Sequence, residues 1–130
     1  MKTFIKIILI AIYFIVLSIG LSFSQALLFE YNKIKCYEEN KFNGEINYKH
    51  TIVLKSFVIV EENFIKIVWE DGYYNKYLIN TTEKKEGLVI FDTIELSTNN
   101  NCMFVFVNKD ELLIYFVNNR KRIGVNQYLN

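Results

Sequence analysis

The sequence predicts an all-β protein: an antiparallel meander of about eight short strands that forms a small barrel or flattened sandwich, preceded by an N-terminal signal helix. Three observations indicate this fold class. Short runs of Ile, Val, Phe and Tyr alternate with clusters of Asn, Asp, Glu, Lys and Gly after residue 25, as in strands joined by turns. Turn signals recur roughly every 8–14 residues. Apolar residues at helical spacing are hard to find in this region.

Length and composition narrow the class of protein further. The 130 residues leave room for one domain, and a hydrophobic content of 52% is sufficient for a packed core. The formal net charge of +1 provides no strong field for nucleic acid, so we expect no nucleic-acid partner.

The first 24 residues have the order of a secretory signal peptide. Two lysines come first, Ile7–Leu17 is an unbroken apolar run, and Ser22 and Ser24 supply the small-x-small pattern of a signal-peptidase site. We therefore expect cleavage between Ser24 and Gln25. Residues 1–24 are then the signal peptide, and residues 25–130 form a single β-barrel or β-sandwich domain.

Two alternatives to cleavage are open. Phe4–Phe23 has the length of a membrane span, so the same segment left uncut is an N-terminal membrane anchor, the only membrane contact that we expect. A buried core helix is the other alternative. With cleavage, the predicted location is secreted, periplasmic or in the cell envelope.

The strands are predicted in order from the apolar runs between turn residues. The second and third are alternatively one long bent strand, and a ninth strand is predicted at Arg122–Tyr128. The eight main candidates are Leu28–Cys36, Ile46–Leu54, Ser56–Val60, Phe64–Glu70, Tyr73–Asn80, Leu88–Leu96, Cys102–Val107 and Leu112–Asn118.

The turns between these strands have recognisable chemistry. The pair Asp71-Gly72 is typical of a tight hairpin, because glycine adopts positive φ at no steric cost. We predict a longer loop at Thr81–Gly87, closed by its glycine. The segment Ser97–Asn101 contains three consecutive asparagines, which tolerate left-handed backbone.

The two faces of each strand differ in polarity to different degrees. In FIKIVWE, alternate residues Ile65, Ile67 and Trp69 share one face, which we expect to be buried. In MFVFV and LLIYFV both faces are apolar. We expect those two strands in the middle of the sheet, or covered on one side by another element.

The two cysteines, Cys36 and Cys102, leave two alternatives. In an exported chain an even pair suggests a disulfide, whose long loop would contribute about 4 kcal/mol in the chain-entropy model. The other alternative is a pair of buried free thiols in neighbouring strands.

The sequence contains few residues suited to catalysis or metal binding. The only histidine is His50, no C-x-x-C pair is present, and all five glycines are isolated, so we expect no metal and no cofactor. An enzyme would be a small hydrolase that uses a carboxylate such as Asp92 or Glu95. The cluster at 120–122 (Arg-Lys-Arg) is a candidate for a phosphate or lipid-headgroup contact, and the alternative is a solvated loop.

A group of aromatic residues supplies the candidate ligand-binding side chains. Trp69, Tyr73, Tyr74 and Tyr77 surround the Asp71-Gly72 turn. Aromatic rims stack on sugars or lie on lipids, whereas the structural alternative is cross-strand pairing that holds the hairpin together.

Four segments carry a resemblance to a known group of proteins: SFSQ, SFVIVEENFIKIVW, NNNCMFVFV and ELLIYFVNN. With them, the chain resembles small exported bacterial β-rich proteins of unassigned function, which are lipocalin-like in shape. This resemblance implies a ligand pocket and no established activity.

The sequence thus favours an exported, non-enzymatic β-domain that binds a partner or interacts within the envelope. The candidate partners are a small apolar ligand, a glycan and an envelope protein. The alternatives are the small hydrolase and a protein inhibitor that acts through an edge strand.

Overall fold

A computed structural model describes residues 26–118 and 121–130 of the chain. Within these residues the protein is all-β, and ten antiparallel strands form one half-barrel sheet. The strands are β1 Leu27–Tyr31, β2 Lys33–Glu39, β3 Ile46–Ile52, β4 Ser56–Val60, β5 Phe64–Trp69, β6 Tyr74–Lys85, β7 Leu88–Glu95, β8 Asn101–Asn108, β9 Glu111–Val117 and β10 Ile123–Leu129.

The predicted all-β, antiparallel class is confirmed. Every predicted strand is present, including the ninth at the C-terminus, and the first is divided at Asn32 into β1 and β2. The strands belong to a single sheet rather than to the two layers of a sandwich. The predicted signal helix lies outside the described residues, and no helix among those residues is long and apolar enough to cross a membrane.

The sheet curls because consecutive strands pair at its opposite ends. Its order is β1-β4-β5-β6-β7-β8-β9-β10-β2-β3. Only Asn32 separates β1, at one end, from β2, next to the other end, and its N–H donates to the carbonyl of Leu129 at 2.9 Å. Neighbouring strands lie about 4.8 Å apart, so in a flat sheet β1 and β2 would be too far apart for one residue to connect them.

The apolar strands β8 and β9 lie in the middle of the sheet, as predicted. One face of the sheet is the concave, inner face, and it carries most of the buried side chains. Rings meet across this interior: Phe29 of β1 lies 4.9 Å from Phe106 of β8, and Trp69 of β5 lies 6.1 Å from Tyr128 of β10, between centroids. The core is therefore largely aromatic.

One predicted loop is wrong. Residues Thr81–Gly87 do not form a long loop, because β6 continues to Lys85 and a two-residue turn, Glu86-Gly87, leads into β7. Both turn residues have positive φ, 52° and 82°. The segment TTEKK extends beyond the core and is exposed along its length, so it carries no alternation that would predict a strand.

Two other turns have the predicted backbone. Gly72 has a φ of 94°, and its N–H donates to the carbonyl of Trp69 at 2.9 Å, which closes the β5–β6 hairpin. Asn99, between β7 and β8, has a φ of 65°. Asparagine tolerates this left-handed conformation better than most residues.

Candidate functional site: a cavity at one end of the half-barrel

A cavity of about 160 Å³ lies at one end of the concave face. Strands β6 to β10 and the β7–β8 turn supply its lining: Tyr77, Glu95, Asn100, Cys102, Ile114, Phe116, Val117, Asn126 and Tyr128. The deep residues Tyr77, Tyr128 and Cys102 are buried, whereas Asn100 and Val117 are exposed. The cavity therefore opens to solvent at the end of the barrel where these two residues lie.

The space exists because small or short side chains occupy inward positions there. In the register of the sheet, Phe116 of β9 lies opposite Cys102 of β8 on one side and opposite Gly124 of β10 on the other. Two residues further into the sheet, Ile114 of β9 lies opposite Asn126 of β10. Gly124 leaves room for the Phe116 ring, since a β-carbon on Gly124 would lie 2.5 Å from Cζ of that ring. A large residue at these positions would fill the cavity.

Two buried tyrosines form much of its wall. The Tyr77 ring packs edge-on against Phe104 at 4.9 Å, and the Tyr128 ring contacts Tyr31 at 5.8 Å. Burial raises the pKa of both the Tyr77 and the Tyr128 phenol, in each case the largest effect. A hydrogen bond with Asn126 opposes the rise for Tyr128. Both phenols are therefore neutral at physiological pH.

Glu95 brings a carboxylate to the cavity. Its Oε1 accepts a hydrogen bond from the Thr98 hydroxyl at 2.7 Å, and its backbone N–H donates to the Asn100 carbonyl at 2.8 Å. Burial raises the pKa of the Cys102 thiol to about 11, and the charge of Glu95 adds to that rise. Since no lysine, arginine or histidine is among the described lining residues, the cavity has a net negative character at pH 7.

The structure divides the four predicted aromatic candidates into two pairs. Tyr77 is 6% exposed and lines the cavity, and Trp69 is half-buried against Tyr128. Tyr73 and Tyr74 are 76% and 57% exposed. Trp69 and Tyr77 each contact a ring from another part of the sheet, Tyr128 and Phe104 respectively, so the four candidate side chains do not form one group.

The outward pair has a different environment. The ammonium of Lys66 lies 4.3 Å from the centroid of the Tyr74 ring on the outer face. Tyr73 lies in the β5–β6 turn, directly before β6, and its backbone N–H donates to the carboxylate of Asp71 at 3.1 Å. These two tyrosines take no part in the cavity.

Both cysteines are free thiols, and the predicted disulfide is not formed. Cys102 lies on β8 and Cys36 on β2, with β9 and β10 between them. At about 4.8 Å per strand, three strand spacings along the sheet exceed the roughly 6 Å that a disulfide spans between Cα atoms. The alternative of free thiols is confirmed, but the two cysteines do not lie in neighbouring strands, and Cys36 is only half-buried. When ionised at high pH, both cysteines add to the rise that burial causes in the pKa of the Tyr128 phenol.

The carboxylates of the hydrolase alternative are not brought together. Asp92 is exposed and lies on the opposite face of β7 from Glu95, because successive strand residues alternate. His50 is exposed on β3, and the described residues contain no group of three or more His, Cys, Asp or Glu that could hold a metal ion. Asp92 and Glu95 therefore do not face each other across one cleft.

In the basic cluster at 120–122, Arg122 has a structural partner within the protein. Arg122 donates from Nη1 to the carboxylate of Glu38 at 3.0 Å, and the Asn118 amide donates to the other Glu38 oxygen at the same distance. Lys121 is exposed, and residue 120 is outside the described residues. The Arg122 guanidinium therefore forms an ion pair that links the start of β10 to β2.

The chain matches no protein-family model, no curated protein and no solved structure. Its function therefore has to be inferred from the cavity and the exposed surfaces themselves.

Sequence reasoning identified Tyr77 as a binding candidate but missed the residues that create the space. Asn126, Cys102 and Gly124 occupy inward positions in strands whose other inward residues are large and apolar. A small or polar residue at the inward position of an otherwise apolar strand is the signal that could have indicated them. Using it requires the register across β8, β9 and β10, which the sequence alone does not supply.

Proposed function

We propose that this protein is an exported, non-enzymatic binding domain that holds a small molecule in the cavity at the end of its half-barrel. The observation that carries the proposal is the cavity itself: about 160 Å³, open to solvent, with two phenols, a thiol, two amides and a carboxylate in its lining. Ile114, Phe116 and Val117 add apolar surface beside these groups, and small-molecule sites typically combine apolar surface with polar groups that fix orientation.

The size of the cavity limits the ligand. A cavity of about 150 Å³ accommodates benzene, so roughly six to eight non-hydrogen atoms fit without rearrangement. A glycan chain or a long lipid is too large for it. Of the predicted partners, the cavity supports the small molecule best.

Export is the second part of the proposal and rests on the signal-like residues 1–24. The first described strand begins at Leu27, so cleavage between Ser24 and Gln25 would leave every described strand intact. Mass spectrometry of the protein from its host checks this: the expected N-terminal peptide begins at Gln25. Recovery of the full-length chain alone would contradict the cleavage and favour the membrane anchor.

Ligand binding is tested by NMR titration with a panel of small molecules that fit the cavity, beginning with phenol. We expect saturable shifts at backbone amides of the cavity residues. Val117→Trp at the rim should abolish them, because a larger side chain there obstructs the opening. Val53→Trp is the matched control, since Val53 is 85% exposed and is not part of the lining. Shifts that are absent across the panel, or that Val117→Trp leaves unchanged, would refute the proposed site.

The edge strand β3 favours a second candidate function, that of an inhibitor or adaptor that pairs with a strand of another protein. β3 pairs only with β2, and its residues are exposed apart from Thr51. Its exposed apolar side chains include Ile46 and Tyr48. An unpaired edge that carries exposed apolar side chains can accept another strand.

A panel of secreted proteases and glycosidases tests this second function. An edge-strand inhibitor would cause a stoichiometric loss of activity of one target, and the double variant Ile46→Lys and Tyr48→Lys should relieve the inhibition, because charges on an edge oppose strand addition. Inhibition that survives the double variant would exclude the β3 edge as the inhibitory element.

A further inference from the structure

We infer that the cavity selects a small organic cation, an alkylammonium with roughly six to eight non-hydrogen atoms, over a neutral molecule of the same shape. This inference rests on the proposed binding function and specifies the ligand class of the same site. It follows from three features of the lining: a carboxylate, aromatic walls and the absence of a basic side chain among the described lining residues.

The carboxylate of Glu95 is only partly satisfied by the protein. Thr98 donates to Oε1, and among the described residues no lysine, arginine or histidine forms an ion pair with Glu95. Glu95 is half-buried and lies on the same face of β7 as the buried Thr93. A carboxylate in this position has a free oxygen available for a ligand cation.

The influence of the Glu95 charge extends into the cavity. It raises the pKa of the Tyr77 phenol and of the Cys102 thiol, in both cases in addition to the larger effect of burial. These groups remain protonated at pH 7, so they neither repel an anion nor attract a cation by charge. Glu95 thus supplies the ionised group of the described lining.

The walls are suited to a weakly hydrated cation. Three aromatic side chains line the cavity, Tyr77, Phe116 and Tyr128. Aromatic faces attract ammonium groups through the ring quadrupole, and the attraction is strongest where water is excluded. The methyl groups of an alkylammonium also pack against apolar walls such as Ile114, which a metal ion with its hydration shell cannot do.

The amides complete the site. Asn100 at the rim and Asn126 deeper in the cavity offer carbonyl oxygens or N–H groups to a polar substituent on the ligand. An anionic ligand of the same size would meet the Glu95 carboxylate without a compensating cation. The lining therefore discriminates by charge as well as by volume.

The test compares choline with 3,3-dimethyl-1-butanol, its neutral isostere, which has the same shape and the same number of non-hydrogen atoms. Both are titrated into the protein, purified after expression with its own leader, at pH 7 and low salt, with NMR shifts of the cavity amides as the readout. We expect choline to bind at least about tenfold more tightly, a difference of about 1.4 kcal/mol. Because this comparison uses the unaltered protein, it does not depend on a variant that folds.

Two variants then assign the preference to one carboxylate. Glu95→Gln keeps the oxygen that accepts from Thr98 but removes the charge, and it should lower the affinity for choline about tenfold while leaving the isostere unchanged. Asp92→Asn is the matched control: it removes one charge from the same strand, on the exposed opposite face, and should change neither affinity.

The outcomes separate this inference from the proposed function. Equal binding of choline and its isostere, or tighter binding of the isostere, would overturn the cation preference and leave the binding site standing. A choline preference that Asp92→Asn removes and Glu95→Gln retains would overturn the role of the cavity carboxylate. If phenol binds at the cavity and choline does not bind at all, the ligand class is wrong and the site is still a binding site.

Discussion

The substitution Gly124→Ala tests the packing that forms the cavity. Gly124 is buried on β10 and lies directly opposite Phe116 of β9. Its φ lies outside the positive range, so alanine can adopt its backbone conformation. In such a position, alanine should stabilise the fold by about 0.4–1 kcal/mol, because it reduces the freedom of the unfolded chain.

The contact between the new methyl group and Phe116 makes the expected net effect destabilising instead. It would lie 2.5 Å from Cζ and 2.8 Å from Cε2 of Phe116, so the ring must retreat by roughly 1 Å to reach ordinary van der Waals contact. Phe116 is half-buried and borders the cavity, which gives its ring room to move at some loss of packing. Inserting a methyl group into a packed core typically costs about 1–3 kcal/mol. The net expectation is a loss of roughly 1 to 1.5 kcal/mol.

Urea denaturation followed by tryptophan fluorescence measures this loss, and in a domain of this size it corresponds to a Tm lower by about 5–10 °C. The double variant Gly124→Ala, Phe116→Leu should show a favourable coupling of about 1 kcal/mol, because the shorter side chain removes the clash. Gly87→Ala is the control: its cost arises from a positive φ of 82°, and no atom lies within 4 Å of the added carbon. A Gly124→Ala protein as stable as the wild type, with no coupling to Phe116, would refute the reasoning.

Three further substitutions test other parts of the fold. Tyr31→Phe should leave stability in urea denaturation unchanged or raise it by about 1 kcal/mol, since the buried Tyr31 hydroxyl has no hydrogen-bond partner among residues 26–118 and 121–130. Tyr37→Phe should lose about 1 kcal/mol, because it removes a hydrogen bond to a glutamine. A larger loss for Tyr31→Phe than for Tyr37→Phe would contradict this. Arg122→Met should lower stability by about 1–2 kcal/mol, because the half-buried Glu38 carboxylate loses its ion-pair partner at 3.0 Å. Lys55→Met removes the more exposed ion pair with Glu30, at 3.8 Å, and should cost under about 0.5 kcal/mol. Equal losses for the two variants would contradict this difference. Folding raises the pKa of the Cys102 thiol from 9.0 to about 11, so between these values the folded state binds more protons than the unfolded state and stability should fall as the pH rises from 9 to 11. The urea midpoint of Cys102→Ala should fall less steeply over this range than that of the wild type. Identical slopes for the two proteins would contradict the assignment to Cys102.

The strands and tight turns were predictable because their signals are local. Alternation in FIKIVWE placed Ile65 and Ile67 on the buried face, and both are fully buried. Gly72 and Asn99 have the left-handed backbone that glycine and asparagine tolerate. The second half of β6 was missed for the same reason: a strand exposed on both faces has no alternation to detect.

The closure of the sheet and the fate of the cysteines were not predictable, because they depend on long-range register. Asn32 divides one predicted strand into two that pair with different partners, and no local signal marks that change. The separation of Cys36 from Cys102 follows from two intervening strands. Of the candidate site, the sequence indicated Tyr77 as a binding residue and named Glu95 and Cys102 in other roles, but it did not indicate that the curled sheet brings the three together.

The position of the cavity follows from how side-chain size is distributed over the concave face. At one end, inward residues of β1, β7 and β8 are large and apolar, and the rings of Phe29, Phe91 and Phe106 fill the interior. At the other end, β10 presents Gly124 and Asn126 at inward positions. A core of apolar residues at every inward position would have filled this end as well, as a domain selected only for stability would favour. The small and polar residues instead leave an open space beside a carboxylate, which is the arrangement expected where a domain binds a ligand at some cost to its packing.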